Sequence, residues 1–292
     1  EQISQSKHVL LKAFFDQNKN KKLTQQVQDR LLVTLNVVLQ SLNEIPQSKQ
    51  TQTLDVVLSI LESVLRRSSY LSLLNEHPFA IFEMVKLVSV SKWIGNQLIE
   101  RPFLFDELTD QDRLYHLPSE NELSAQLRLM MLRIEQGDLE QQMEVLRLFK
   151  HARVFRAAAC EVMQTLDLPK VSDYLTQVAN VVVQYSLQLS KEQMIDRFGS
   201  PQDVDDQVSD LSVVAYGKMG GYELNYHSDL DVVFIYNSSL SGKTDGVKSV
   251  ENIVFYTKTV QRFMHLLNSK TYNGQLYEVD MRLRPSGASG LI

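Results

Sequence analysis

From its start to about residue 200 this chain repeats apolar side chains every third or fourth position, and after Phe198-Gly199-Ser200-Pro201 the repeat stops. A spacing of three to four places one apolar stripe along a helix, so this part must fold as helices that bury their stripes against one another. Val27, Leu31, Leu35, Val38 and Leu42 form one stripe, and Leu54, Val57, Leu58, Leu61, Val64 and Leu65 a second. Breaks are expected at Pro46, Ser68-Ser69, His77-Pro78 and Arg101-Pro102. The polar runs 109–112 and 118–122 mark a boundary, and Ser119 with Glu122 three residues on predicts a capping box that opens the next helix. That helix carries Leu123, Leu127, Met130, Met131 and Ile134. Another holds Met143, Leu146, Phe149 and Val154, and a last long one Val178, Val181, Val182, Tyr185 and Leu189. Methionines at this spacing are packing residues.

Beyond residue 200 the texture becomes β-rich. Residues 211–216, 229–236 and 275–283 read as strands, with a helix over 250–267 between the second and third. The fold class is therefore α+β: a mainly helical body, bundle-like, with a small mixed sheet at the C-terminal end. Two domains are expected. Residues 1–118 form a helical bundle; residues 119–292 comprise leading helices over 119–200 and a sheet core over 201–292 that is cut short at its C-terminus. The chain begins at Glu1 and stops at Leu291-Ile292 with no closing element, as a piece of a longer protein would.

Composition excludes some classes of function. A net charge of −5 gives no overall basic field to hold nucleic acid. No window reaches the roughly 18 apolar residues of a membrane span, and the first 30 residues contain no signal-type apolar core. The single cysteine, Cys160, cannot form an internal disulfide and sits on a helix face, which fits a packed thiol in a reducing, cytoplasmic setting.

The chemistry concentrates in Gly217-Lys218-Met219-Gly220-Gly221-Tyr222-Glu223-Leu224 and Ser228-Asp229-Leu230-Asp231. By the period-two rule Leu230, Val232, Phe234 and Tyr236 share one face of the second strand, while Asp229 and Asp231 share the other. The third strand repeats the device, with Tyr277, Val279, Met281 and Leu283 against Glu278, Asp280, Arg282 and Arg284. If these strands lie side by side, Asp280 approaches Asp229 and Asp231. Three converging carboxylates repel one another, and divalent cations remove that repulsion. Mg²⁺ takes hard oxygen ligands and is completed by phosphate oxygens, so the trio suits two Mg²⁺ ions and a nucleoside triphosphate. Gly220 and Gly221 permit close backbone approach to phosphates, Ser228 offers a hydroxyl, and Arg282 and Arg284 are placed to fork onto an anion. Lys218 is a candidate phosphate contact and Glu223 a neighbour. His227 is read as a solvated loop residue, because a metal-held hydroxyl needs no separate base.

These motifs resemble the polymerase-β type nucleotidyltransferases. Within them, Tyr216-Gly217-Lys218-Met219-Gly220-Gly221, Ser228-Asp229-Leu230-Asp231 and Tyr277-Glu278-Val279-Asp280-Met281-Arg282-Leu283-Arg284-Pro285-Ser286-Gly287 are similar to the C-terminal, AMP-attaching half of the glutamine synthetase adenylyltransferase family. Arg66-Arg67-Ser68-Ser69-Tyr70-Leu71, His77-Pro78 and Trp93-Ile94 extend the likeness upstream, and Met219 stands where that family usually has Leu. The resemblance implies a polymerase-β type core and ATP-dependent transfer of AMP to a tyrosine of glutamine synthetase, with Asp229, Asp231 and Asp280 as metal ligands. It further implies a PII-type signalling protein and glutamine as regulators acting through the helical part. Two alternatives stay open: removal of AMP by phosphorolysis on the same fold, and a helical adaptor with an inactive core.

Overall fold

Each break expected from the sequence ends or begins a helix. The computed structural model describes residues 2–19, 21, 23–135, 137–202, 210–238 and 242–281. Its helices are α1 (Gln2–Asn18), α2 (Gln25–Ser41), α3 (Gln47–Val64), α4 (Ser68–Glu76), α5 (Pro78–Val90), α6 (Lys92–Glu100), α7 (Gln111–Tyr115), α8 (Glu120–Met131), α9 (Leu139–Val162), α10 (Leu168–Phe198), α11 (Gly217–Gly220) and α12 (Asn252–Asn268). Pro46 is the N-cap of α3 and Pro78 opens α5, positions where a missing N–H costs nothing. At α8 the Glu122 carboxylate accepts both the backbone N–H (2.8 Å) and the hydroxyl (2.7 Å) of Ser119. No helix among the described residues is long and apolar enough to cross a membrane.

The chain forms two compact units, one of residues 1–117 and 154–167, the other of 118–153 and 168–292. In the first, the stripe residues Leu35, Val38, Leu54, Val57 and Leu61 are buried together with Leu71, Ile81, Met84, Leu98 and Phe105. The tail of α9 belongs to this unit. There Cys160 is fully buried, and burial pushes its thiol above the usual value.

The second unit holds the sheet. Strands β1 (Pro201–Gln202) and β4 (Lys243–Thr244) make a short antiparallel pair, while β2 (Asp210–Ala215), β3 (Leu230–Asn237) and β5 (Val279–Asp280) form a mixed sheet in the order β2-β3-β5. β2 runs antiparallel to β3, with Val213 opposite Phe234, and β5 runs parallel to it. A parallel neighbour needs a crossover, which α12 supplies. That helix packs on the sheet through Phe263 against Phe234 (ring centroids 5.2 Å apart) and Tyr256 stacked on Tyr236 (5.0 Å). Met194, Phe198, Leu211, Phe255, Tyr256 and Val260 form a core cluster. Gly199 ends α10 at φ +80°, and a Cβ there would lie 2.1 Å from the Gly246 backbone nitrogen, so only glycine lets these chains approach.

The third strand is shorter than the alternation predicts. Leu276 and Tyr277 are both buried, the Tyr277 N–H bonds to Leu267 O at 3.2 Å, and only Val279 and Asp280 pair with β3. Consecutive buried residues break a period of two, because this stretch packs beneath α12 before it joins the sheet. Residues 282–283 of the expected strand lie outside the described residues.

Candidate active site

The geometry is set where β3 and β5 begin. Leu230 pairs with Val279 and Asp231 with Asp280, and the Leu230 N–H donates to Glu278 O at 2.9 Å. Opposite residues on neighbouring strands project to the same side, so Asp231 and Asp280 point together. Asp229 lies one residue ahead of the strand and joins them: oxygen atoms of the three carboxylates all lie within 4.8 Å of one another. Asp229 is exposed, and Asp231 and Asp280 are half-buried. On the other flank β3 buries Leu230 and Val232, the apolar face read from the sequence.

Two local devices hold the acidic pair. The segment before Asp229 is a turn closed by side chains: the Asn225 N–H donates to Ser228 Oγ (3.0 Å), the Ser228 hydroxyl donates to Asn225 Oδ1 (2.9 Å), and the His227 N–H donates to the same oxygen (3.1 Å). Asn and Ser are turn formers for this reason. The Ser228 proton is thus engaged inside the turn. His227 is an exposed loop residue.

The second device is Gly217. Tyr216 N–H bonds to Asp231 O at 2.8 Å, which lays the backbone of residue 217 against the Asp231 side chain. Gly217 adopts φ +52°, and a Cβ there would lie 2.2 Å from Asp231 Oδ2 and 3.0 Å from its Cγ. Glycine at 217 leaves room for the carboxylate and accepts the left-handed backbone. Gly220 has a different constraint, since a Cβ would meet Ala215 O at 2.7 Å. Gly220 and Gly221 are exposed, as is Lys218, whose carbonyl accepts the Glu223 N–H at 2.7 Å. Arg282 and Arg284 lie outside the described residues. Sequence reasoning placed Gly217 in the motif without a role and missed Asn225. The pair Asn225/Ser228, three apart before an acidic strand start, was a readable turn signal, whereas the steric role of Gly217 depends on which residue faces it.

The family model for glutamate-ammonia ligase adenylyltransferase matches residues 81–292. The chain belongs to that family. A bifunctional glutamine synthetase adenylyltransferase/adenylyl-removing enzyme of Hahella chejuensis (strain KCTC 2396) is 45% identical over 269 residues, covering 91% of this chain and 28% of that protein. The enzyme of the same description from Pseudomonas syringae pv. tomato (strain ATCC BAA-871 / DC3000) is 46% identical over 250 residues, covering 85% of this chain and 25% of that protein. The one from Alteromonas mediterranea (strain DSM 17117 / CIP 110805 / LMG 28347 / Deep ecotype) is 40% identical over 289 residues, 97% of this chain and 29% of that protein. The chain therefore spans 25% to 29% of the length of these relatives. The stretch matched by the adenylyltransferase family includes all three carboxylates, Gly217 and the Asn225–Ser228 turn.

The donor set fits divalent cations. Three carboxylates this close repel one another unless a cation lies among them, and all-oxygen sets of this kind suit Mg²⁺ or Mn²⁺.

Proposed function

We propose that this chain carries a nucleotidyltransferase centre of the polymerase-β type that moves AMP from ATP to a tyrosine hydroxyl of glutamine synthetase. The observation that carries the reading is the parallel pairing of Asp231 with Asp280, with Asp229 within reach of both, in a member of the adenylyltransferase family. Asp229, Asp231 and Asp280 would hold two Mg²⁺ ions, which supply neutralisation of the triphosphate and acidify the attacking hydroxyl. In the transfer, the tyrosine oxygen bonds to the α-phosphorus and the bond from that phosphorus to the bridging oxygen breaks. Pyrophosphate leaves with the electron pair, and the hydroxyl proton passes to water. Asp280 serves the attacking side. In this reading Gly220, Gly221, Lys218 and Ser228 contact the phosphates, and Arg282 and Arg284 are assigned the same role from the sequence alone.

The experiment incubates the intact chain with glutamine synthetase, Mg²⁺ and α-labelled ATP. Label on a tyrosine is expected. Its absence, combined with phosphate-dependent loss of label from pre-modified glutamine synthetase, would replace transfer by removal, an activity the relatives' names also carry.

Residues 1–118 are assigned a linking role, passing the binding of glutamine and a PII-type signalling protein to the centre. A deletion at residue 118 is a poor test, because residues 154–167 pack with 1–117 in one unit and would lose their cover. Titrating both effectors onto the intact chain tests it directly, and an unchanged transfer rate would overturn the assignment.

Gly217→Ala is expected to cost about 1–2 kcal/mol for the left-handed backbone. It should also displace the Asp231 carboxylate and reduce transfer by roughly 10–100-fold, the usual loss when a metal ligand is mis-set. Gly137→Ala is the control: its φ is +90° but a Cβ there meets nothing within 4 Å. It should lose stability alone. Equal transfer rates for the two variants would remove Gly217 from the site.

A further inference from the structure

The third carboxylate sits on a strand of two residues, too short for its ladder to fix register. Its position must be held from elsewhere, and the hydrogen bonds lead back to α9. Arg147 is fully buried, and its partners are four backbone carbonyls. Nη1 donates to Met143 O (2.7 Å) within its own helix, Nε to Gly274 O (2.8 Å), and Nη2 to Leu266 O (3.4 Å) and to Ser269 O. Leu266 lies in the last turn of α12 and Ser269 is its C-cap. The last carbonyls of a helix have no intrahelical donor and favour a cation, so the guanidinium closes α12 while it reaches across the following turn. That turn is built by Thr271 and Gly274, whose N–H groups donate to each other's carbonyls at 3.0 Å.

Neighbours of Arg147 on α9 extend the grip. Glu144 accepts from Asn273 Nδ2 (2.6 Å), and His151 Nε2 lies 3.2 Å from Asn273 O. The Lys150 ammonium donates to Leu276 O (2.6 Å) and lies 4.2 Å from the centre of the Tyr277 ring. The last link is Asn268, whose Oδ1 accepts the Val279 N–H at 3.2 Å, one residue before Asp280.

We propose that Arg147 is a positioning residue for Asp280: its buried guanidinium, with Asn268 as the final link, locks the connection from α12 to β5 and so sets the third carboxylate beside Asp231. This role rests on the reading of Asp229, Asp231 and Asp280 as the AMP-transfer centre. A five-donor planar fork is what four carbonyls in different directions require, and an ammonium at the same place keeps the charge but satisfies fewer of them.

The test uses the intact chain with Arg147→Lys, Asn268→Ala and Asp280→Asn. Asn268→Ala leaves the buried arginine untouched and guards against a folding failure of Arg147→Lys. Three readouts apply: amide hydrogen exchange, Mn²⁺ affinity by electron paramagnetic resonance, and kcat against KM for ATP. Faster exchange confined to residues 270–281, Mn²⁺ affinity lower by roughly 10–100-fold, and a fall in kcat with KM for ATP nearly unchanged are expected for both clamp variants. Unaltered exchange at 270–281 overturns the clamp. So does Mn²⁺ affinity equal to that of the parent chain in both clamp variants when Asp280→Asn weakens it. Full Mn²⁺ affinity in Asp280→Asn itself would instead overturn the site reading, and the positioning role with it.

Discussion

Asp231→Asn should reduce AMP transfer by roughly a thousandfold or more while the chain keeps its fold. Asp231 faces Asp280 across the β3–β5 pair, and its carboxylate shares a 4.8 Å neighbourhood with two others. An amide retains the shape and one carbonyl oxygen but removes the charge that a divalent cation needs. Loss of such a cation's contribution amounts to several kcal/mol of transition-state stabilisation, and a factor of a thousand corresponds to about 4 kcal/mol. The fold should be spared, because without cations one charge fewer relieves repulsion among the three. Thermal melts separate the two effects. With Mg²⁺ or Mn²⁺ at about 100 times its dissociation constant, the parent chain should gain about 2.7 kcal/mol, and Asp231→Asn should gain far less. Transfer within tenfold of the parent rate would show that Asp231 is no ligand.

Glu107→Ala should strongly destabilise the helical unit. Glu107 and Arg156 are 6% and 2% exposed, and Arg156 Nε donates to Glu107 Oε2. Arg113 stands farther off, its Nη2 3.9 Å from Glu107 Oε1. Removing Glu107 leaves the Arg156 charge buried without its partner, which typically costs about 3–5 kcal/mol. Arg156→Ala should cost less, because Arg113 remains beside Glu107. The double replacement Glu107→Leu/Arg156→Met should recover most of the loss, since an apolar pair of similar volume carries no desolvation penalty. Trp93, the only tryptophan of the chain, lies in this unit and is half-buried, so its fluorescence in urea follows this unit's unfolding. A Glu107→Ala midpoint close to the parent's would mean that water or another group compensates Arg156.

These two sites differ in how far they could be read in advance. Asp229 and Asp231 stand two apart at the mouth of an apolar strand, and Asp280 stands in a segment read as alternating; these local patterns singled out the carboxylates, while their meeting depended on β5 pairing with β3. The helical stripes, the proline breaks and the Ser119/Glu122 cap were local as well, which is why α2 and α3 fall where their periodicity puts them and α8 starts where expected, although it ends at Met131, short of Ile134. Arg147 and Arg156 carry no such mark. Both lie on α9 where no local pattern sets them apart from solvated charges, and both are buried, one by carbonyls more than a hundred residues away in sequence and one by Glu107.

By itself, then, the sequence determined most of the helices and the apolar faces and singled out three carboxylates as candidates, because helix and strand periods are properties of neighbouring residues. Only the tertiary structure decided that β5 pairs with β3 for just two residues, that Gly217 must lack a Cβ because Asp231 lies against it, and that a buried arginine closes α12. Each of these depends on atoms brought together from distant parts of the chain, where packing and the need to pair every buried polar group outweigh any local preference.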